Sequence, residues 1–273
     1  MKVLSLFDGI SCGMVALERA GIAVERYVAY EIDKFAIKVS QSNYPQIEQC
    51  GDVTTADFTQ YKGFDLLIGG SPCTYWSVAN NNRETTPDGM GGKLFLEYVR
   101  ALKESGCKYF LYENNNSIHD NIKAFISAQL GVEPITINSA VVSAQRRDRC
   151  YWTNIPCVTQ PQEKNILLKD ILQSGIGVVV SKQGKRIDKT NIEKSYCLLA
   201  RDYKGFGNQA MTGVLDIVDG KELLRTLTPI ESERLQTLPD DYTRVVSNTQ
   251  RKKQIGNGWT VDVIAHLFKG LML

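Results

Sequence analysis

The chain has 273 residues, of which 43% are hydrophobic and 23% are charged, and its formal net charge is +2. This length and composition are ordinary for a globular protein with one large domain, or one domain and a small appendage. The charge excludes a strongly polybasic binder, but it permits an enzyme that binds nucleic acid with one basic face.

Cysteine usage and hydropathy indicate the cellular compartment in which the protein works. The seven cysteines are scattered and contain no Cys-x-x-Cys pair, which argues against a disulfide framework and a zinc site and for a reducing compartment. The apolar run at residues 1–7 is too short for a secretion signal, and nothing approaches a membrane span. We therefore expect a cytoplasmic protein, in a prokaryotic or phage-infected cell, with no membrane contact and no metal site.

A strand, a glycine turn and a helix open the chain. The apolar run at residues 3–7 predicts a buried strand, residues 8–13 form the turn, and the pattern at 14–20 predicts a helix that ends at Gly21. Such a turn lets the backbone approach a ligand and directs the helix N-terminus toward it.

Two acidic positions follow this turn. A second predicted strand at residues 27–30 ends at Glu31, about twenty residues beyond the turn, where an acidic side chain accepts hydrogen bonds from ribose hydroxyls in this architecture. Asp52, before Val53, comes after a predicted helix at 34–42. The turn and the two acids suit an adenosine-containing cofactor, and the alternative is a set of solvated acids at loop ends.

A cysteine follows the next predicted strand. Residues 64–69 are largely apolar and end at a glycine pair, and the chain then turns through Ser71 and Pro72 to Cys73. Ligands and chemistry collect at the carboxyl ends of strands in open α/β sheets, so Cys73 is a candidate nucleophile. The alternative is a buried structural cysteine.

A loop, a helix and another strand lead to a candidate acid. Residues 78–93, rich in Asn and Gly, predict a mobile surface loop that acts as a lid, and 94–104 predict an amphipathic helix. The strand predicted at 108–112 delivers Glu113 and Asn114 to the same sheet edge as the cysteine. A carboxyl group there loses hydration, which favours its protonated form and suits a proton donor.

A row of donors lies between two strand-like runs at residues 135–142 and 150–152. Strand alternation places Gln145, Arg147 and Arg149 on one face, where they suit phosphate or base-edge oxygens. The alternative is an exposed edge strand whose charges discourage aggregation.

The last third contains a weakly patterned region and two helices. Residues 158–222 predict a small, irregular, mildly basic subdomain that suits bases and phosphates, although a solvated face explains the same charges. Thr228 and Glu231 form a capping box that starts a helix, and a glycine turn at 255–258 leads into a last helix at 259–271.

These motifs, taken in order, resemble those of the cytosine-C5 DNA methyltransferases over almost the whole chain. The opening motif and residues 92–99 are most similar to the animal de novo branch. The motifs that carry the resemblance are Phe7-Asp8-Gly9, Glu31, Gly51-Asp52-Val53, Gly70-Ser71-Pro72-Cys73, Glu113-Asn114, Gln145-x-Arg147-x-Arg149, Arg225-x-Leu-Thr-Pro229-x-Glu231-x-x-Arg234-Leu-Gln236 and Gly256-Asn257-Gly258.

The resemblance implies a fold, a reaction and catalytic roles. The fold is α/β, a Rossmann-like class I S-adenosylmethionine-dependent methyltransferase with a small irregular target-recognition subdomain. It divides the chain into a catalytic and cofactor-binding domain at 1–157, a recognition subdomain at 158–222 and a C-terminal return at 223–273. Cys73 would attack C6 of a cytosine flipped from double-stranded DNA, Glu113 beside Asn114 would protonate N3, and Arg147 and Arg149 would lie near the pyrimidine O2.

The resemblance also implies S-adenosylmethionine as cofactor, with S-adenosylhomocysteine as product. The residues expected around it are Phe7, Asp8, Gly9, Ile10, Glu31, Ile32, Asp52, Val53, Ser71, Pro72, Asn257, Gly258 and Trp259. The methionine part is assigned to the Gly9 turn, the ribose to Glu31 and the adenine to Asp52 and Val53.

Some residues depart from the family pattern, and two other functions stay open. Asn115 stands where Val is usual, Thr74 replaces the Gln of many bacterial members, and the first turn lacks a glycine pair. The alternatives are a cytosine-C5 methyltransferase of transfer RNA and a catalytically silent DNA-binding relative. A restriction-modification setting is expected for the main function, and the sequence does not indicate an oligomeric state.

Overall fold

A computed structural model of the protein describes residues 1–77 and 82–272, apart from the side chain of Cys73. The chain divides into two units. The first consists of Met1–Ile137, Asp148–Gln160 and Ala265–Leu273, and the second of Asn138–Arg147 and Pro161–Ile264. Which part recognises a target stays a prediction.

A mixed seven-stranded sheet forms the first unit. Its strands are β1 Lys2–Leu6, β2 Arg26–Tyr30, β3 Glu48–Gln49, β4 Leu66–Gly69, β5 Tyr109–Asn115, β6 Ile135–Asn138 and β7 Asp148–Thr153. The order is β3-β2-β1-β4-β5-β7-β6. β3, β2, β1, β4 and β5 pair in parallel, whereas β7 runs antiparallel to β5.

Four helices belong wholly to this unit: α1 Cys12–Arg19, α2 Lys34–Asn43, α3 Met90–Ser105 and α4 Asp120–Leu130. Asp33 caps α2 by accepting a hydrogen bond from Phe35 N at 2.9 Å, and α3 ends at Gly106, whose φ of 63° is left-handed. Alternate residues of the strands, such as Leu4 and Leu6, form one core with the buried aromatic residues of α3.

The strand order sets where a site can form. The connection from β1 leads to β2 on one side, whereas β4, the other neighbour of β1, connects onward to β5 on the opposite side. The sheet therefore has a topological switch point between β1 and β4, and the carboxyl ends of strands at such a point border a crevice.

A four-stranded antiparallel sheet forms the second unit, with the order β11-β10-β8-β9. Its strands are β8 Ile176–Ser181, β9 Arg186–Thr190, β10 Met211–Val218 and β11 Lys221–Thr226. The helices are α5 Leu168–Ile171, α6 Pro229–Leu235 and α7 Asn248–Asn257, and α8 Val261–Phe268 crosses the boundary between the units. Val179, Val214 and Leu235 belong to its core.

The predicted capping box of α6 is confirmed. Thr228 Oγ1 accepts from Glu231 N at 3.1 Å, and Glu231 Oε2 accepts from Thr228 N at 2.8 Å. Glu231 is fully buried and pairs with Arg225, which also binds Asp216 of β10 at 2.6 Å. These ion pairs join α6 to the sheet of the second unit.

Several predicted elements differ from the structure. The region at 158–222 is more regular than the sequence indicates, because it holds three strands of a sheet. The strand predicted at 135–142 ends at Asn138 and continues as a 3-10 turn. The turn predicted at 255–258 is mostly the end of α7, so the last helix begins at Val261.

Candidate active site

The turn that follows β4 leads to Cys73 and passes beside β5. A Cβ atom at Gly70 would lie 2.7 Å from the carbonyl oxygen of Glu113 and 3.0 Å from its Oε2 atom, so only glycine lets the two segments approach this closely. The backbone of Cys73 begins a 3-10 turn, Cys73–Tyr75, and its side chain lies outside the described part of the chain. The turn to Cys73 therefore runs directly beside Glu113.

Glu113 forms an ion pair with Arg149 across the antiparallel strands β5 and β7. Arg149 Nε lies 2.9 Å from Glu113 Oε1, and the two side chains are only 11% and 12% exposed. Arg149 Nη1 also donates to the carbonyl oxygen of Asp148 at 2.8 Å. The arginine thus fixes the direction of the carboxylate, a pairing that the sequence did not predict.

A buried polar network that sequence reasoning missed braces the same turn. Ser71 Oγ and Tyr112 Oη share a hydrogen bond of 2.7 Å, and Asn114 Nδ2 donates to Tyr112 Oη at 3.2 Å and weakly to Ser71 O at 3.4 Å. Burial raises the pKa of Tyr112, so its phenol stays protonated. The alternation along β5, which puts residues 112 and 114 on one face, is the signal for this network.

The turn after β1 is backbone-constrained. Phe7, Gly9 and Ser11 have φ values of 56°, 61° and 60°, which are left-handed and unusual for the two residues with side chains. Gly9 N donates to Glu31 Oε2 at 2.8 Å, and Glu31 Oε1 accepts from Ile32 N and Asp33 N, each at 2.8 Å. Glu31 therefore ties the ends of β1 and β2 together.

Three hydroxyl groups surround the carboxyl group of Asp8. Its Oδ1 atom accepts from Ser5 Oγ at 2.6 Å and from Tyr27 Oη at 2.7 Å, and its Oδ2 atom accepts from Ser11 Oγ at 2.5 Å. Loss of hydration on burial raises the pKa of Asp8 to about 6, against the lowering effect of these hydrogen bonds. The acid thus titrates close to neutral pH.

The remaining predicted cofactor residues of the first unit differ in exposure. Ile32 is 74% exposed, which is unusual for a large apolar side chain, whereas Ile10 is 1% exposed and offers only its backbone. Asp52 Oδ1 accepts from Thr54 N and Thr54 Oγ1, each at 2.9 Å, and Val53 beside it is buried.

The predicted row of donors is split between the two units. Arg149 belongs to the first unit, whereas Gln145 and Arg147 belong to the second. All three are buried, at 0%, 5% and 9% exposed for residues 145, 147 and 149, so the alternative of an exposed edge strand is wrong. The side chains bond to protein groups because a buried donor must be satisfied.

Arg147 is bonded within the second unit to three backbone carbonyl groups. Its Nη1 atom donates to Leu198 O at 2.9 Å, and its Nη2 atom donates to Gly258 O at 3.0 Å and to Gly256 O at 3.2 Å. Arg147 therefore fixes the end of α7 and the residues that follow it. In this segment the side chain of Asn257 is exposed and Trp259 is half-buried.

The loop predicted as a lid lies partly outside the described residues, since 78–81 are not described. In the described part, Glu84 accepts hydrogen bonds from Met90 N at 2.9 Å, Gly91 N at 3.1 Å and Trp76 Nε1 at 3.2 Å. Glu84 thus caps α3, which begins inside the predicted loop, so residues 84–91 are fixed to the fold.

The described residues form neither a metal-binding cluster nor a membrane-spanning helix. Within residues 1–77 and 82–272, no cluster of three or more His, Cys, Asp or Glu side chains is placed to hold a metal ion. No described helix combines the length and the apolar character needed to cross a bilayer.

Comparison with known proteins gives a family match along nearly the whole chain. The model of the family described as C-5 cytosine-specific DNA methylase matches residues 1–170 and 157–272. The type II methyltransferase M1.ScrFI of Lactococcus lactis subsp. cremoris is 30% identical over 301 residues, covering 96% of this chain and 76% of that protein. The orphan methyltransferase M.Rho11sI of Bacillus phage rho11s is 32% identical over 207 residues, but the match covers 71% of this chain and only 39% of that protein.

A solved structure confirms the predicted fold class. The methyltransferase EhMeth of Entamoeba histolytica superimposes with a TM-score of 0.80 at 16% identity, covering 100% of this chain and 98% of that one. The first unit accordingly has the α/β fold of S-adenosylmethionine-dependent methyltransferases.

Proposed function

We propose that this chain, which belongs to the C-5 cytosine-specific DNA methylase family, transfers a methyl group from S-adenosylmethionine to C5 of a cytosine in double-stranded DNA. The observation that carries the proposal is the Glu113–Arg149 ion pair, which lies beside the turn that leads to Cys73. Two relatives are named as methyltransferases, one type II and one orphan, and both fit a role in DNA modification.

Cys73 is the proposed nucleophile. C5 of cytosine is a poor nucleophile, and addition of the Cys73 thiolate to C6 turns C5 into an enamine-like carbon that can accept the methyl group. A base from solvent then removes the C5 proton, the C6–S bond breaks to release the Cys73 thiolate, and N3 returns its proton to Glu113, which restores the neutral aromatic ring. The glycine at position 70 serves this step by letting the nucleophile turn pass close to the acid.

Glu113 is the proposed proton donor to N3 of the cytosine during the addition, for which the carboxylate held by Arg149 must first take up a proton from solvent. Its direction is set by Arg149, 2.9 Å away, and both side chains are nearly buried, so water competes little for the carboxyl group. Asn114 acts from the other face of β5, where it holds the Ser71 carbonyl and hence the turn. Arg149 is the arginine that we assign to the pyrimidine O2.

The turn after β1 and the end of β2 are the proposed cofactor site. Glu31 Oε1 and Oε2 accept three backbone N–H bonds between them and keep lone pairs for ribose hydroxyls. Ile32 offers an exposed apolar surface on which adenine can stack, and Asp52 keeps Oδ2 for its amino group, since the described residues engage only Oδ1. S-adenosylmethionine supplies the methyl group when bound there.

The predicted recognition subdomain at 158–222, most of which lies in the second unit, is the proposed target-recognition part. Arg147 serves this arrangement as a positioning residue, because its guanidinium is engaged by the Leu198, Gly256 and Gly258 carbonyl groups. All five residues of β9, including Arg186 and Lys189, are exposed and available to DNA phosphates.

The test is transfer of labelled methyl from S-adenosylmethionine to mixed-sequence duplex DNA and to total transfer RNA, followed by bisulfite sequencing of the DNA. Methyl groups on cytosines in one short context are expected. Label in RNA alone would favour the transfer RNA alternative, and no label in either, despite cofactor binding, would favour a silent relative.

A substitution tests the nucleophile directly. Cys73→Ser should abolish transfer but retain cofactor binding, whereas Cys157→Ser, which changes an exposed thiol, should retain both. Duplex DNA that carries 5-fluorocytosine should form a covalent adduct with the wild type and with the Cys157 variant only. Substantial transfer by the Cys73 variant would remove the covalent mechanism.

A further inference from the structure

An arginine of α3 that has no part in the proposed chemistry bonds to the segment beside Asp52. Arg100 is half-buried in the second half of this helix. Its Nη2 atom donates to Val53 O at 3.0 Å, and its Nη1 atom donates to Ala56 O at 2.8 Å. These carbonyl groups belong to the first residue of the 3-10 turn Val53–Thr55 and to the residue that follows the turn. Arg100 therefore holds both ends of this turn.

Two glutamates on the same face of α3 accept the remaining donors of Arg100. Its Nε and Nη2 atoms donate to Glu97 Oε2 at 2.9 and 2.6 Å, and its Nη1 atom donates to Glu104 Oε2 at 3.1 Å. The glutamates stand three residues before and four residues after the arginine, which places all three side chains together on the helix. With the two carbonyl bonds, each of the five N–H bonds of the guanidinium group has an acceptor. The direction of the group is thus fixed.

The next residues of the segment also rest on these side chains. The guanidinium carbon of Arg100 lies 4.5 Å from the centre of the Phe58 ring, and Phe58 N donates to Glu104 Oε2 at 3.2 Å. Phe58 is fully buried and belongs to the core of the first unit, together with Val53. Residues 53–58 are therefore fixed to α3 by polar groups and by packing.

The turn that Arg100 holds sets the direction of Asp52. Asp52 caps the turn, because its Oδ1 atom accepts from Thr54 N and Thr54 Oγ1, each at 2.9 Å. The direction of Oδ2, the oxygen proposed to receive the adenine amino group, therefore follows the position of the turn. A hydrogen bond weakens steeply when its angle is poor, so release of the turn from α3 would weaken this contact.

We propose that Arg100 is a positioning residue for the adenine part of the cofactor site, and that it keeps Asp52 directed at the exocyclic amino group by holding Val53 O and Ala56 O. The inference rests on the proposed function, in particular on the assignment of adenine to Asp52. Arg100 acts through the turn and not by contact with the cofactor. Its loss should therefore lower the selectivity for the amino group, whatever it does to stability.

The experiment compares the binding of two compounds by calorimetry. One is S-adenosylhomocysteine, and the other is its analogue in which purine replaces adenine, so that only the amino group is missing. The wild type should bind the adenine compound roughly tenfold more tightly, because a hydrogen bond to a charged group is lost with the amino group. In Arg100→Met, which keeps the apolar contact with Phe58 but removes the donors, this ratio should fall below about threefold. A smaller fraction of folded protein would weaken both compounds equally and leave the ratio unchanged.

Three further variants make the test specific. Asp52→Asn, whose amide oxygen can keep the bonds from Thr54, should lower the ratio by itself, and adding Arg100→Met should not lower it further, since both changes act on one contact. Lys103→Met, a change of an exposed cation on the same helix, should keep the wild-type ratio. Arg100→Lys has one nitrogen for two carbonyl groups, so it should also lower the ratio, and it replaces the methionine variant if that does not fold.

The outcomes separate this proposal from the proposed function. A wild-type ratio in Arg100→Met, or in Arg100→Lys if the methionine variant does not fold, would overturn the role of Arg100 alone. Equal binding of the two compounds by the wild type would overturn the assignment of adenine to Asp52, and the role of Arg100 with it. Absence of binding of either compound by the wild type would overturn the proposed cofactor site as a whole.

Discussion

The ionised carboxyl group of Asp8 should lower the stability of the protein as the pH rises from about 4 to about 6. Its pKa is about 6 in the folded protein, against an ordinary value of 3.8, so the folded state binds the proton more tightly than the unfolded chain does. The protein therefore releases protons on unfolding in this range, and its free energy of unfolding falls as the pH increases.

The size of the effect follows from the two pKa values. At about 1.4 kcal/mol per pKa unit, the difference between the two pKa values lowers the free energy of unfolding by about 3 kcal/mol at neutral pH. This loss of stability is absent below about pH 4, where Asp8 is protonated in both states, and it reaches its full size above about pH 7. The hydroxyl groups of Ser5, Ser11 and Tyr27 offset part of the lost hydration but not all of it.

Asp8→Asn should remove this pH dependence. The amide oxygen can keep the bonds from Ser5 and Tyr27, and the amide nitrogen can donate to Ser11 Oγ, which in turn donates to Ser40 Oγ 2.6 Å away. The variant should be about 2 to 3 kcal/mol more stable than the wild type at pH 8 and within about 1 kcal/mol of it at pH 4.5. Urea unfolding at half-unit pH intervals measures the difference.

The control for this prediction is Asp219→Asn. Asp219 is exposed in a turn, and its left-handed backbone, with a φ of 51°, is one that asparagine also adopts. Its stability difference from the wild type should be small at every pH. A difference between Asp8→Asn and the wild type that stays constant from pH 4.5 to pH 8 would refute the reasoning, because ionisation of Asp8 would then cost nothing.

Three further perturbations test other parts of the molecule. Glu113→Gln should slow single-turnover methyl transfer by ~10² to 10⁴, the usual worth of a general acid, and a near-normal rate would exclude the proton-donor role. Glu31→Ala should weaken S-adenosylhomocysteine binding by roughly tenfold or more in calorimetry, because three charge-assisted backbone bonds are lost with the ribose contact. Arg225→Ala should destabilise the second unit by about 3 to 5 kcal/mol in thermal or urea unfolding, since it leaves the fully buried Glu231 carboxylate without its partner; an unchanged transition would show that Glu231 is satisfied otherwise.

The elements that position the candidate site were predictable from local pattern. The apolar runs of β1, β4 and β5 are each followed by a glycine or an acid, so the carboxyl ends of the strands, and with them Glu113, could be located without a structure. The turn after β4 was predictable for the same reason. These features depend on residues within a few positions of one another.

The features that sequence reasoning missed depend on contacts between distant residues. Arg147 bonds to Gly258, 111 positions away, and no local pattern distinguishes that donor from one that faces a ligand. α7 has no apolar stripe, because one of its buried residues is Arg251, which pairs with the fully buried Glu233. β9 is exposed along its whole length and so shows no alternation.

The order of three neighbouring strands determines how the proposed reaction is arranged. Adjacent strands lie about 4.8 Å apart, so the turns after β1, β4 and β5 span roughly 10 Å at one edge of the sheet. The proposed cofactor turn follows β1, the nucleophile turn follows β4, and the acid lies near the carboxyl end of β5. A cytosine ring must meet a methyl donor at C5, a thiolate at C6 and a proton donor at N3 at the same time, and consecutive strand ends provide groups at this separation. The hydrogen bonds between the strands fix the spacing of their carboxyl ends. Gly70 and the Ser71–Tyr112 hydrogen bond then set only how closely the nucleophile turn approaches Glu113.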